Sequence, residues 1–240
     1  MARSYTTADD TRAKLGLIAL QADRTIEDDF RRLMPRDVSL LVSRVPSGLD
    51  VTLDSLAEME SALSGAASLF PVGHRFDVVG YGCTSGTAQI GAPVIAQQVQ
   101  AGTETGAVSE PVTALIAACH ALKVSRIAIL SPYVASVSNR LREVLAAAGI
   151  TTPTFASFDE GNEAAVAHID EDSITRASID MMKDTEVEAL FLSCTNLRTL
   201  GVIAGLQDEL GVPVLSSNLV LAWHMLNCAG LDVARPRDLL

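Results

Sequence analysis

The sequence is poor in aromatic residues, positive charge and long apolar runs, and each shortage narrows the classes of protein to which it can belong. Aromatic residues make up 4% of the chain, so the core must be built mainly from Ala, Val, Leu and Ile, which suits packed parallel strands and helices. The formal net charge is -11, with no basic cluster for nucleic acid or an anionic membrane. No apolar run approaches the roughly 20 residues of a transmembrane helix, and the N-terminus has no apolar signal segment. We expect a cytoplasmic protein with neither nucleic acid nor membrane among its partners.

Cysteine is scarce as well, and its spacing argues against structural roles. Cys83, Cys119, Cys194 and Cys228 form no CxxC pair, and no histidines are placed to complete a zinc site. A disulfide framework is not expected in a cytoplasmic chain. The motifs GxGxxG, GxxxxGK and GxSxG are absent, so nucleotide cofactors and a hydrolase serine have no support. Each cysteine is therefore either a small buried hydrophobe or a reactive group.

Short apolar runs alternate with helical patterns along the whole chain. The predicted strands are KLGLIAL (14–20), VSLLVSRV (38–45), FDVVGY (76–81), RIAIL (126–130), an extended segment (154–158), ALFLS (189–193) and VPVL (212–215). Alternation of this kind predicts an α/β fold of two pseudo-symmetric lobes, each a mostly parallel sheet flanked by helices, with the active site between the lobes. We place the N-terminal lobe at residues 1–112 and the C-terminal lobe at 113–216. A closing helix and tail at 217–240 should pack back on the N-terminal lobe.

One pattern occurs twice, nearly half the chain apart. VVGYGCTSGTAQIG around Cys83 and LFLSCTNLRTLGVI around Cys194 both read as apolar strand, small residue, Cys-Thr, polar turn and helix. A thiol between a strand and a helix lies near free backbone N–H groups, which favour the thiolate. Two facing thiols can remove a proton on one side of a ligand and deliver one on the other. Cys83 and Cys194 are therefore candidate catalytic residues, although core packing is the alternative for either one alone.

Hydroxyl and amide side chains beside the two thiols are candidates for binding a carboxylate substrate. They are Thr84, Ser85, Thr195 and Asn196. Their polar atoms and the neighbouring backbone N–H groups can orient carboxylate oxygens, but turn formation and helix capping explain the same residue types equally well. Cys119 and Cys228 lie in helical patterns, where core packing is the expected role.

Taken in order, these segments resemble the aspartate/glutamate racemase superfamily, and within it the branch of maleate isomerases and arylmalonate decarboxylases. The landmarks cover most of the chain and are GLIALQADRTIEDDF, YGCTSGT, RIAILSPYVASV, FDEGN, LSCTNL and VPVLSSN. The resemblance implies that Cys83, Cys194, Tyr133 and Asn162 meet the substrate. From the residues alone, Tyr133 would be a half-buried ring and Asn162 a turn residue. Within the branch, the sequence is most similar to a protein encoded with enzymes of ectoine degradation.

Two departures from the family pattern bear on the substrate. Where maleate isomerases have an asparagine after the first strand, this chain has Asp23. A carboxylate there would repel a dianionic substrate and favour an ammonium group; the alternative is that Asp23 caps the helix beginning near Thr25. Arylmalonate decarboxylases keep only the second cysteine, so two thiols favour isomerisation or racemisation over decarboxylation.

The resemblance thus implies a cofactor-independent racemase or cis-trans isomerase acting on a small carboxylate or an amino acid, for example an ectoine-degradation intermediate. This chemistry requires neither a metal nor an organic cofactor. Two alternatives stay open: an arylmalonate-type decarboxylase, and a non-catalytic protein that binds a ligand in the same cleft. The sequence also leaves open whether the chain forms a homo-oligomer.

Overall fold

A computed structural model describes residues 3–8, 10–48, 50 and 52–240, and within them the chain forms eight strands, ten α-helices and one 3-10 helix. The strands are β1 (Ala13–Leu20), β2 (Val38–Val45), β3 (Phe76–Gly82), β4 (Thr105–Ser109), β5 (Arg126–Ser131), β6 (Thr151–Ser157), β7 (Ala189–Leu192) and β8 (Val214–Ser216). The α-helices are α1 (Ile26–Leu33), α2 (Leu53–Ala67), α3 (Thr84–Ile90), α4 (Ala92–Gly102), α5 (Pro111–Leu122), α6 (Ala135–Ala147), α7 (Glu163–Val166), α8 (Glu171–Met181), α9 (Ile203–Leu210) and α10 (Ser217–Cys228). The 3-10 helix covers Pro236–Leu239.

The strands form two four-stranded sheets with the same topology. Their orders are β2-β1-β3-β4 and β6-β5-β7-β8, and every paired strand runs parallel to its neighbour. In each sheet the chain first adds a strand on one side and then crosses to the other. The gap between β1 and β3, and likewise between β5 and β7, is therefore the place where ligands bind in open parallel sheets. The expected two-lobed α/β fold is confirmed.

Helix α10 connects the two lobes. It packs against α5 and also against α1 and β3. A Cβ atom at Gly80 in β3 would overlap the sulfur of Met225, so a residue without a side chain is needed for this close approach. On its other side α10 contributes Val220 and Trp223 to a core cluster with Ile127 and Phe191 of the second sheet.

Two sequence expectations about local structure were wrong. β4 was not predicted, because TGAVS is a short edge strand with few apolar residues. The segment after Cys83 is not a turn, since α3 begins directly at Thr84. The helix expected near residues 200–210 is confirmed as α9, which begins at Ile203 after an irregular segment, whereas α3 follows Cys83 directly.

None of the helices in the described ranges has both the length and the apolar character needed to span a bilayer.

Candidate active site

Four of the predicted site residues follow the central strands of the two sheets. Asp23 follows β1 and Cys83 follows β3, while Tyr133 follows β5 and Cys194 follows β7. Each pair therefore lies at the topological switch point of its own sheet. All four side chains are buried, with exposed fractions of 3% to 5%. The structure thus brings both thiols, the tyrosine and the aspartate together at the junction of the lobes.

Cys83 is the N-cap of α3, and its Sγ accepts a hydrogen bond from the Gly86 N–H at 3.1 Å. Burial nevertheless raises the pKa of Cys83 to about 12, because loss of water outweighs that single N–H donor. The negative charge of Glu163 raises the pKa further. The Gly86 N–H thus favours the thiolate, as the sequence predicted, but burial favours the neutral thiol more strongly.

Cys194 has a different setting from Cys83. Its backbone φ is 108°, a value that side-chain-bearing residues rarely adopt. The Asn196 N–H donates to its Sγ at 3.3 Å, and the Tyr133 hydroxyl lies 2.9 Å from the same sulfur. Burial raises the pKa of Cys194 well above its usual value, and the charge of Glu163 adds to this. The Asn196 N–H favours the thiolate here too, but no helix begins at this residue and desolvation outweighs the single donor.

The threonines of the two Cys-Thr motifs join the loops to one another. Thr84 donates to the Ser217 hydroxyl at 2.8 Å, and the same hydroxyl oxygen accepts the Cys194 N–H at 2.9 Å. Thr195 donates to the Gly82 carbonyl oxygen at 3.2 Å. Each motif is thus braced by the opposite half of the molecule. The hydroxyls of Thr84 and Thr195 both donate hydrogen bonds to protein atoms. Backbone N–H groups and the Ser85 hydroxyl are therefore the better candidates for donors to a ligand.

Asp23 fills the capping role that the sequence left as one of two alternatives. Its Oδ1 accepts hydrogen bonds from the backbone N–H groups of Thr25 at 2.8 Å and Ile26 at 2.9 Å. These two hydrogen bonds cap the first turn of α1. Its Oδ2 is buried and has no hydrogen-bond partner among the described residues. Burial raises the pKa of Asp23, although the two N–H donors and the Thr195 hydroxyl oppose the rise. Oδ1 of Asp23 therefore caps the helix.

Asn162 and Asn196 both bind protein atoms. The Asn162 side chain accepts the N–H groups of Ala164 and Ala165 and so caps α7. Asn196 accepts the Arg24 N–H at 2.9 Å and donates to Glu163. Asn162 thus fills the turn role that its residue type alone predicts, and Asn196 ties the loop after β1 to the start of α7.

Glu163 is a residue of this site that the sequence did not indicate. It is 4% exposed, its Oε1 accepts the Tyr133 hydroxyl at 2.9 Å, and its Oε2 accepts Asn196 Nδ2 at 2.9 Å. Burial raises its pKa, and the charge of Asp23 acts in the same direction. In the sequence Glu163 is one of several acids in FDEGNE, and no pattern distinguishes it from its exposed neighbours. A cavity of about 350 Å³, partly lined by Ala164, adjoins this corner of the site.

Comparison with known proteins identifies the family. The sequence profile of the arylmalonate decarboxylase family matches residues 95–238, more than half of the chain. The chain belongs to the arylmalonate decarboxylase family. The arylmalonate decarboxylase of Bordetella bronchiseptica is 26% identical over 225 residues, 90% of each protein. The maleate isomerase of Nocardia farcinica (strain IFM 10152) is 25% identical over 244 residues, 93% of this chain and 92% of the relative.

Solved structures of maleate isomerases have the same fold as this chain. A variant of the maleate isomerase from Pseudomonas putida S16 with maleate has a TM-score of 0.83 at 22% identity, covering 92% of this chain and 93% of the other. A variant of the Nocardia farcinica maleate cis-trans isomerase, with a covalently bound succinylcysteine intermediate, has a TM-score of 0.77 at 21% identity, covering 91% and 93%. These relatives are enzymes, and a cysteine of one of them bonds covalently to its ligand. The predicted branch of the superfamily is confirmed.

Proposed function

We propose that this protein is a cofactor-independent racemase or cis-trans isomerase of a small carboxylate, with Cys83 and Cys194 as its two reacting groups. The observation that carries the proposal is the placement of two buried thiols after equivalent central strands of the two sheets. A maleate isomerase and an arylmalonate decarboxylase are each similar to nearly the whole chain, which supports an enzyme over a binding protein.

In the proposed reaction one thiolate acts on the substrate and the other thiol supplies a proton. For a racemase, the Cα–H bond breaks and its proton joins one sulfur, while the opposite S–H delivers its proton to the other face of the carbon. For an isomerase, the thiolate adds to the double bond and leaves after rotation.

The charge that develops on the substrate carboxylate needs donors already in place. The backbone N–H groups at the start of α3 and the Ser85 hydroxyl fit this role, since they follow Cys83 directly. The buried surroundings strengthen such contacts by excluding water.

The substrate class that fits the two buried carboxyl groups is one with an ammonium group. Asp23 Oδ2 lacks a partner, and Glu163 is close enough to raise the pKa of both thiols. A second substrate carboxylate about 4 Å from a charged Asp23 would cost roughly 4 kcal/mol at an effective dielectric of about 20. An amino-acid-like substrate, such as an intermediate of ectoine degradation, is therefore favoured over maleate.

Replacement of Asp23 tests the substrate class. Asp23→Asn keeps an oxygen for the Thr25 and Ile26 N–H groups but removes the charge. We expect the affinity for maleate relative to zwitterionic amino acids to rise about tenfold or more, measured by calorimetry. Unchanged relative affinities, with a stability loss of about 1 kcal/mol or less, would reduce Asp23 to a helix cap.

Serine replacement tests the two thiols. Cys83→Ser and Cys194→Ser should each lower turnover by about 10²–10⁴-fold or more while the protein stays folded, because a hydroxyl is far too weak an acid to form the reacting anion. Cys119→Ser and Cys228→Ser are matched controls outside the site. Cys119 is buried, as expected, whereas Cys228 is exposed, so the core packing expected for Cys228 is wrong. Both controls should retain wild-type rates. Wild-type turnover in Cys83→Ser or Cys194→Ser would remove that residue from the mechanism.

Decarboxylation is the second candidate, favoured by the family profile itself. An arylmalonate-type reaction would use Cys194 alone to protonate the carbanion left by CO₂. It predicts that Cys83→Ser stays active on an arylmalonate, which is the opposite of the outcome expected above.

A further inference from the structure

A second cavity lies beside the irregular segment 193–202, which follows β7 and carries Cys194. Its volume is about 230 Å³, and its walls come from the start of α1, the start of α8 and residues 198–201. Neither Cys83 nor Cys194 lines it, so it is separate from the site that holds the thiols. The volume is below the range of drug-sized pockets, which suits a small ligand.

Three arginines, Arg24, Arg32 and Arg198, line this cavity. None of them forms an ion pair with a carboxylate of the described residues. In a chain with a net charge of -11, three such arginines around one small cavity create a local positive surface. Guanidinium groups bind oxyanions through paired N–H donors, so the cavity is suited to an anionic group.

A buried hydroxyl in the same cavity also lacks a partner. Thr199 lines the cavity and is 1% exposed, and its Oγ1 has no hydrogen-bond partner in the part of the chain that the structure describes. A buried polar group without a partner destabilises a protein, and most such groups are hydrogen-bonded. An oxygen of a bound anion would accept the hydrogen bond of this hydroxyl.

The carboxyl groups of the cavity do not cancel its positive charge. Asp28 is paired with Arg31, and Asp29 accepts a hydrogen bond from Asn218 at 2.7 Å. Glu171 is the third carboxyl group. Three guanidinium groups therefore face two carboxyl groups that no cation pairs among the described residues.

We propose that this cavity binds a small molecule through a phosphate group, and that the bound phosphate holds the segment that carries Cys194. A phosphate monoester has about 1.5 to 2 negative charges at neutral pH and three acceptor oxygens, which suits three guanidinium groups and a hydroxyl better than one carboxylate does. The site lies apart from the thiols and does not depend on the proposed reaction.

Hydrogen bonds connect the cavity wall to the Cys194 segment. The Arg24 N–H donates to Asn196 Oδ1 at 2.9 Å, and the Thr25 hydroxyl donates to the Asn196 carbonyl oxygen at 2.9 Å. A phosphate that contacts both Arg24 and Arg198 would join the same two stretches of chain a second time. Its binding should therefore restrain the segment between Cys194 and Arg198.

Thermal unfolding in the presence of inorganic phosphate, glycerol 3-phosphate or succinate tests the ligand class. At constant pH and ionic strength, a ligand that binds the folded protein raises the unfolding temperature in a saturable way, and the increase gives its affinity. We expect both phosphates to bind at least tenfold more tightly than succinate. A succinate affinity above that of phosphate, lost in Arg198→Gln, would overturn the phosphate class.

Charge variants test the location. Arg32→Gln and Arg198→Gln should each weaken phosphate binding tenfold or more, whereas Glu171→Gln should strengthen it about threefold or more. All three positions are exposed, so the variants should fold. Arg126→Gln, at an exposed arginine that begins β5 outside the cavity, is the matched control and should bind as the wild type does. Equal phosphate affinity in all four variants would overturn the site.

Alkylation by iodoacetamide, followed peptide by peptide by mass spectrometry, tests the effect on the Cys194 segment. Saturating phosphate should slow the alkylation of Cys194 about threefold or more, leave Cys83 unchanged, and have no effect in Arg198→Gln. Phosphate bound between the thiols would instead protect both cysteines and would still do so in Arg198→Gln. That result, or an unchanged Cys194 rate at saturating phosphate, would overturn the proposal.

Discussion

Cys194 is held in a backbone conformation that its side chain disfavours. Its φ of 108° lies where a Cβ atom is crowded, and such residues cost about 1–3 kcal/mol each. The Ser217 hydroxyl accepts its N–H, and the Tyr133 hydroxyl contacts its sulfur. These contacts hold the thiol in position at the expense of local stability.

Glycine and alanine replacements should measure this strain. Cys194→Gly removes the crowded Cβ atom, whereas Cys194→Ala keeps it. After the entropic cost of glycine is subtracted, Cys194→Gly should therefore be about 0.5–2 kcal/mol more stable than Cys194→Ala. Cys83 is the matched control, because its φ of -150° is ordinary extended backbone. There the glycine variant should be less stable than the alanine variant by about 0.5–1 kcal/mol. Urea unfolding gives all four values, and a more stable Cys194→Ala would show that no strain is stored.

At the residue scale, the sequence indicated the thiols but not their chemistry. The repeated Cys-Thr pattern singled out Cys83 and Cys194 because two strand ends with the same residues are rare. The protonation state could not be read in the same way, since it depends on burial and on Glu163, which reaches the site from a different loop. Long-range contacts of that kind leave no local spacing in the sequence.

Helices α1 and α10 meet through one buried polar contact. Asn218 at the start of α10 donates to Asp29 of α1 at 2.7 Å and to the Thr195 carbonyl oxygen at 2.8 Å. Burial raises the pKa of Asp29 to about 6, although the Asn218 donor opposes the rise. The contact thus connects a titrating carboxyl group to the loop that carries Cys194.

The stability of this helix pair should depend on pH in a defined window. The folded-state pKa of Asp29 is above the unfolded value of about 3.9, so its contribution is complete below pH 4 and is lost as the pH rises through about 6. Between pH 4 and 7 the wild-type protein should lose up to about 3 kcal/mol relative to Asp29→Asn. Asp37→Asn, at an exposed position outside the two helices, is the control and should follow the wild-type curve. A constant difference between wild type and Asp29→Asn would contradict the raised pKa.

At the element scale, the buried strands were predictable and the segments around the site were less so. The central strands read as continuous apolar runs because both faces are covered by helices. Edge strand β4 was missed for the opposite reason, since it is partly exposed and has few apolar residues. The helix beginning at Thr84 contains Gly, Ser and Thr, which disfavour helices by propensity, and it forms because tertiary packing outweighs that preference.

The whole molecule repeats one arrangement twice. Both sheets have the same strand order, and in each the two central strands end in a site residue pair, Asp23 with Cys83 and Tyr133 with Cys194. The pairs differ in their chemistry: one offers a carboxylate oxygen without a partner, and the other a thiol linked through a phenol to Glu163. Two similar lobes that carry different site residues suit a reaction in which one face of the substrate loses a proton and the other face gains one.

Proton exchange in deuterated water tests the central claim, that two thiols act on one small carboxylate, most directly. Wild-type protein, Cys83→Ser and Cys194→Ser are each incubated with ammonium-bearing amino acids, maleate and phenylmalonate. NMR follows deuterium incorporation at Cα of the amino acids, formation of fumarate from maleate, and loss of a carboxylate from phenylmalonate. We predict that the wild-type protein exchanges or isomerises at least one ligand with every carboxylate retained, and that both variants lose this activity. Loss of CO₂ from phenylmalonate that persists in Cys83→Ser, or binding without any reaction in the wild-type protein, would contradict the account.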